Sequence, residues 1–132
     1  MSRQNVELVR RMFAALSDGV VPLDVIAPDY VIQNIETAVT DKTYRGAQGA
    51  LEWVQDLYEG IGDGARIEVE RIIADRDDFV IARLAALGSG ARSGIPLRLA
   101  WIATIWFRDG RAVRGVGYTS RAEALKAVGL ED

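Results

Sequence analysis

Trp101-Ile102-Ala103-Thr104-Ile105-Trp106-Phe107-Arg108-Asp109-Gly110-Arg111-Ala112-Val113-Arg114-Gly115-Val116-Gly117-Tyr118 is the stretch that decides how this chain folds. Up to Phe107, apolar residues occupy both parities, so both faces of one strand need cover. Asp109-Gly110 then supplies the positive φ angles of a two-residue hairpin turn, with strand-forming residues on either side. Counted back to Ile95, the first strand of that hairpin holds 13 residues, roughly 43 Å at ~3.3 Å per residue. Ordinary strands are about half as long. A strand of that length bends around something, and the rest of the chain offers helices to bend around.

Immediately upstream, Phe79 to Leu87 predicts a second strand that is apolar on both parities and interrupted by one charge, Arg83. Before it, Ile67 and Val69 alternate with Arg66, Glu68 and Glu70, a period of two that marks a strand from Ala65 onward. Asp75-Arg76-Asp77-Asp78 is a polar turn that lacks the spacing of a calcium loop. Gly88 to Gly94 is a polar loop, and Pro96 stands at a strand start, where its missing N–H is tolerated. Downstream, Ser120-Arg121-Ala122-Glu123 is a capping box for a last helix carrying Ala124, Leu125 and Val128, which Gly129 stops.

In the N-terminal half, Ser2 caps a first helix whose Val6, Val9, Phe13 and Leu16 share one stripe. Gly19 follows its end. Pro22 fits the first turn of a short second helix through Ala27, with Leu23 and Ile26 toward the core. Tyr30 to Asn34 predicts a short strand, and residues 35–45 a loop holding Glu36, Asp41 and Tyr44. Gly46 opens a third helix that buries Ala47, Ala50, Leu51, Val54, Leu57, Tyr58 and Ile61. Helices first and strands afterwards argue for an α+β fold, an antiparallel sheet with the helices on one face.

The 132 residues are expected to form a single domain spanning 1–132. With 49% apolar and 27% charged residues the balance is that of a globular protein. A net charge of −3 gives no reason to expect nucleic acid or a membrane as partner. No apolar run approaches the ~20 residues of a membrane span, and the start Met-Ser-Arg-Gln-Asn lacks the shape of a signal peptide, so a cytoplasmic protein is expected. Cysteine and histidine are both absent. That removes disulfides, thiol nucleophiles, thiolate metal sites and the commonest general base. Any chemistry must run on carboxylates, Tyr, Lys, Arg or amides, and neither a metal nor a cofactor is expected.

The order of elements, together with Asp29-Tyr30-Val31, Thr43-Tyr44-Arg45-Gly46, Trp106-Phe107-Arg108-Asp109-Gly110-Arg111 and Tyr118-Thr119-Ser120-Arg121-Ala122-Glu123-Ala124-Leu125, resembles the nuclear-transport-factor-2-like fold. It resembles most its SnoaL-like branch, which includes polyketide cyclases, ketosteroid isomerase and limonene-epoxide hydrolase. The resemblance implies a cone-shaped bent antiparallel sheet wrapped around N-terminal helices, with a short C-terminal helix. It implies a pocket between the sheet and the first and third helices. This fold hosts enzymes, scaffolds and binding proteins alike, so function turns on the site residues.

Ketosteroid isomerase needs an Asp base and an oxyanion hole of Tyr and protonated Asp. The resemblance sets Asn34, Phe13 and Ala103 at those positions, and none can perform the role. Limonene-epoxide hydrolase needs an Asp-Arg-Asp array helped by Tyr and Asn. Arg83 and Asn34 match, whereas Ala85, Gly117 and Ile32 do not. The pocket Asp of the polyketide cyclases has no counterpart.

The resemblance and the missing catalytic groups together imply a SnoaL-like protein that binds a small, mostly hydrophobic molecule in the cone cavity without either catalytic set. The alternative is a SnoaL-like isomerase, cyclase or hydrolase acting on a cyclic or polyketide-like compound through Arg83 and a carboxylate such as Glu36. The ligand-binding candidates are Phe13, Ile32, Asn34, Trp53, Arg83, Trp101 and Ala103, with Ala85 and Gly117 beside them. Arg83 either holds a ligand oxygen or pairs with Glu36, Glu68, Glu70 or Asp56, because an unpaired buried guanidinium is costly. Small residues at the family's acidic and tyrosyl positions imply an enlarged cavity. Outward-facing Ile102, Thr104 and Trp106 imply a homodimer through the outer sheet face.

Overall fold

Asp109 and Gly110 both take positive φ, 54° and 78°, and close the hairpin expected of them. In the computed structural model, which describes residues 2–34, 43–89 and 94–131, that hairpin is the centre of a six-stranded sheet. The elements run α1 (Ser2–Ser17), β1 (Ile26–Asn34), β2 (Thr43–Arg45), α2 (Gly46–Ile61), β3 (Asp63–Asp75), β4 (Phe79–Ser89), β5 (Pro96–Arg108), β6 (Arg111–Tyr118) and α3 (Arg121–Ala127). The sheet order is β2-β1-β6-β5-β4-β3. The fold is α+β, a curved and unclosed sheet around α1 and α2, with a short C-terminal helix.

One pair departs from the antiparallel expectation: β1 and β6 run parallel, with Ile32 opposite Gly115 and Asn34 opposite Gly117. The hairpin sets the direction of β6, and β1 enters from a separate part of the chain, so no tight turn forces the two to oppose. Curvature has a local cause. Register shifts interrupt β3 between Asp63 and Arg66, Val69 and Arg71, and Ile72 and Ala74, and each such bulge bends its strand.

Side chains alternate across β4 and β5, and both sets are covered. Val80, Ala82, Leu84, Ala103 and Ile105 face inward against Val9, Met12, Phe13 and Leu16 of α1 and Ala50, Trp53 and Val54 of α2. Phe79, Ile81 and Ile102 face outward, and Ala124 and Leu125 of α3 cap them. Ser120 accepts a hydrogen bond from the Glu123 N–H at 3.2 Å, the expected N-cap of α3. The helices therefore lie on both faces rather than one. Ile102 and Thr104 are buried within the chain, and half-buried Trp106 packs on Phe79 with ring centroids 5.1 Å apart. Of the three residues expected on a dimer surface, two are not on the surface.

Three local expectations change as well. Residues 23–25 form a single turn in which the Val25 and Ile26 N–H groups both donate to the Pro22 carbonyl at 2.9 Å. Pro28 disfavours helical geometry at Ala27, so the chain is extended from Ile26 and Leu23 is 62% exposed. Thr43–Arg45 is a strand paired to β1 instead of loop. In α2 the buried face turns toward Trp53, leaving Ala47, Leu51, Leu57 and Tyr58 half-buried.

Polar groups fasten the layers at two points. The buried Asn5 amide donates to the Arg76 carbonyl at 3.2 Å and the Asp77 carbonyl at 2.8 Å, tying α1 to the β3–β4 turn. The Ser17 hydroxyl accepts from the Ile67 N–H at 2.9 Å, while the Tyr58 hydroxyl donates to the Ser17 carbonyl at 2.7 Å. Asn5→Ala leaves two carbonyls without their donor. It is expected to lower the unfolding free energy by about 1–3 kcal/mol in urea titrations, with the denaturant slope unchanged.

Candidate functional site

Two strands put small residues side by side on the inner face. Ala103 of β5 lies opposite Gly117 of β6, and Gly115 lies between Ile105 and Ile32. This floor is too low to reach the helices, so a cavity remains, bounded by Phe13 and Leu16 of α1, Trp53 of α2 and Trp101 of β5. The aromatic wall is edge-to-face throughout: Phe13 and Trp53 have ring centroids 6.4 Å apart, Trp53 and Trp101 6.0 Å. The free volume is about 20 Å³, enough for one water. The expected enlargement is absent, because the rings occupy the space that the small floor residues vacate.

Tyr30 supplies much of that filling. It is 2% exposed and lines the cavity from β1. A Cβ built on Gly115 would fall 2.4 Å from its hydroxyl oxygen and 3.4 Å from Cζ. The phenol therefore uses the space that Gly115 leaves. Burial alone pushes the Tyr30 pKa up, and among the described residues none hydrogen-bonds its hydroxyl.

Of the residues singled out from sequence, Phe13, Ile32, Trp53, Trp101, Ala103 and Gly117 come together around the cavity. Asn34 ends β1 opposite Gly117; its side chain, like Glu36 and Asp41, lies outside the described residues. Gln33 points away from the cavity and accepts from Arg114 Nε and Nη2 at 3.1 and 2.9 Å. Tyr44 stays away from the cavity, donating to Asp56 at 2.6 Å; burial first, then that carboxylate, pushes its pKa up to about 12.

Of the two readings of Arg83, the ion pair with Glu70 is the one found, and its place among the cavity residues is the correction. It pairs across the sheet with Ile102, an outward residue, while its neighbour Leu84 pairs with Trp101 and faces in. Its side chain is 46% exposed and its Nε lies 3.3 Å from Glu70 Oε1, an oxygen shared with Arg98. Arg98 first, and then Arg83, hold the Glu70 carboxyl below its ordinary range. Ala85 has the same outward parity, opposite Ala100 and Glu68. The positions that do face in are Ala82 and Leu84, so neither an arginine nor an aspartate of the hydrolase array enters the cavity from β4. Alternation is strict, and a register displaced by one residue puts the charge on the wrong face.

Sequence reasoning missed Leu16, Tyr30, Leu84, Ile105, Gly115 and Val116 as lining residues. Parity could have found three of them: Tyr30 is two before Ile32, Ile105 two after Ala103, and Gly115 two before Gly117.

A family model for the SnoaL-like domain matches residues 9–115, and the chain belongs to that family. Solved structures similar to it include Bal32a from a soil-derived mobile gene cassette, 18% identical over 89% of each chain with a TM-score of 0.70. TerC, co-crystallised with polyporic acid, is 20% identical over 93% of this chain and 96% of its own, TM-score 0.69. A protein of ketosteroid isomerase-like fold from Catenulispora acidiphila, solved in complex with trimethylamine, is 12% identical over 98% and 95%, TM-score 0.66. No curated protein matches the sequence. Among the described residues, no helix is long and apolar enough to cross a membrane, and no group of His, Cys, Asp and Glu is placed to hold a metal ion.

Two outcomes test this geometry. Gly115→Ala should cost about 1–3 kcal/mol of stability by overpacking, and Tyr30→Phe should relieve most of it in the double variant, since the 2.4 Å contact is with the hydroxyl. Arg83→Met should leave the fold intact and change thermal stability only slightly, as an exposed ion pair contributes ~0–1 kcal/mol.

Proposed function

We propose that this protein binds a small, mostly hydrophobic molecule in the cone cavity and performs neither steroid isomerisation nor epoxide hydrolysis. One observation carries the proposal: Phe13, Trp53 and Trp101 wall an apolar cavity above a floor of Ala103, Gly115 and Gly117. Most ligand sites are concave and apolar with a few polar groups. The fold neighbours support this reading in kind, since TerC was crystallised with polyporic acid and the Catenulispora protein with trimethylamine.

The isomerase roles fail on Phe13 and Ala103, which line the cavity and can neither donate a hydrogen bond nor accept a proton. An enzyme polarising its substrate through Arg83 loses that cation to the outer face. An anionic ligand held in the cavity by Arg83 loses its support in the same way. A ligand larger than water enters by displacing Trp101, the half-buried ring of the wall. A homodimer is proposed as well, with Trp106 as the outward residue that can reach a partner; Trp106→Glu should then give a monomer mass in sedimentation equilibrium.

Methylenecyclohexane, which does not absorb where tryptophan does, should change the tryptophan emission saturably. Ala103→Leu overfills the floor and should abolish that saturation while far-UV circular dichroism stays native. A linear response, or an identical one in Ala103→Leu, overturns the binding reading. The unmodified protein should turn over neither a β,γ-unsaturated ketosteroid nor a terpene epoxide above background, and turnover of either would overturn the catalytic half.

A further inference from the structure

A hydroxyl in an apolar interior is unfavourable unless it is hydrogen-bonded. Tyr30 is 2% exposed, and no described residue bonds its hydroxyl. Phenylalanine would fill the same ring space without needing a partner, and the oxygen, which is not among the fully enclosed unpartnered atoms, opens on the cavity. The chain nevertheless keeps the oxygen, and keeps Gly115 beneath it, where any Cβ would come within 2.4 Å of that oxygen. Two residues, on β1 and β6, are thus fitted to one atom.

We propose that the Tyr30 hydroxyl is the polar anchor of the cavity, donating a hydrogen bond to the carbonyl oxygen of an uncharged, otherwise apolar ring compound. This deepens the binding reading above and rests on it. Donation is the role that fits, because burial pushes the phenol's pKa up and keeps its proton in place. Charge on the ligand is disfavoured by the lining. Tyr30 is the one titratable side chain among the residues described around the cavity, and Arg83 stands on the opposite face. A carboxylate or an ammonium would lose its water there and gain no counter-ion. Size is limited too: with about 20 Å³ free, the ligand is one small ring that takes the volume opened by Trp101, with its oxygen directed at Gly115 and Tyr30.

The test compares cyclohexanone with methylenecyclohexane, near-isosteres that differ by one acceptor oxygen. Tryptophan emission gives dissociation constants for both, in the unmodified protein and in Tyr30→Phe. The ratio of the two constants is expected to move about tenfold against the ketone in Tyr30→Phe, the size of one neutral hydrogen bond. An unchanged ratio with both compounds still bound overturns the role of Tyr30 and leaves the binding reading standing. Failure of both compounds to bind the unmodified protein overturns the binding reading and this inference together. Should Tyr30→Phe not fold, carbonyl-labelled cyclohexanone bound to the unmodified protein decides the matter. A carbon shift downfield of its value in hydrocarbon supports the hydrogen bond, and a hydrocarbon-like shift overturns it.

Discussion

The pairing of β4 with β5 is the constraint on which the rest depends. Its register is unbroken from Phe79 opposite Trp106 to Ser89 opposite Pro96, and both of its faces are apolar over most of that length. Each buried Ile or Leu contributes roughly 1.5–3 kcal/mol, so neither face can be left to solvent. α1 and α2 cover the inner one and α3 the outer. Because a slip of one residue would exchange the two faces, the same pairing fixes which side chains reach the cavity. Leu84 and Trp101 are turned in as a pair, and Arg83 and Ile102 are turned out as a pair.

The cavity follows from that arrangement. An inner face built entirely of large residues would meet the helices and leave nothing. Ala103, Gly115 and Gly117 interrupt it in adjacent register on β5 and β6, and interiors this close-packed admit few voids. Tyr30 then reclaims part of the gap with its ring and brings a hydroxyl into it. Size and polarity are therefore set by the same few positions, three small and one phenolic.

Much of this is legible in the sequence because it depends on local signals. The Asp109-Gly110 turn, the Ser120 cap and the two-sided apolar runs each have a mechanism that operates within a few residues. Six of the cavity residues can be named because strand parity and helix spacing are short-range too. Arg83 is misplaced by resemblance, because its face is decided by which β5 residue stands opposite. Parity places Tyr30 on the inner face, but the role of its hydroxyl lies in Gly115, which is distant in sequence. The parallel β1–β6 pair and the three-residue β2 are equally invisible. Long-range direction leaves no periodic trace, and three residues are too few to show a period.

Because β1 lies beside β6, the sheet cannot be finished until β6 has emerged. The contact between Gln33 and Arg114 spans 81 residues of sequence. At ~5–20 residues per second of translation, β6 leaves the ribosome on the order of 4–16 s after β1. Through that interval β1 can pair only with β2, and its Tyr30 and Ile32 lack the floor they later face. The nascent chain therefore carries an open strand edge bearing an aromatic residue, the kind of surface that holdase chaperones shield. Closure of that edge waits for the β5–β6 hairpin rather than for the helices that precede it.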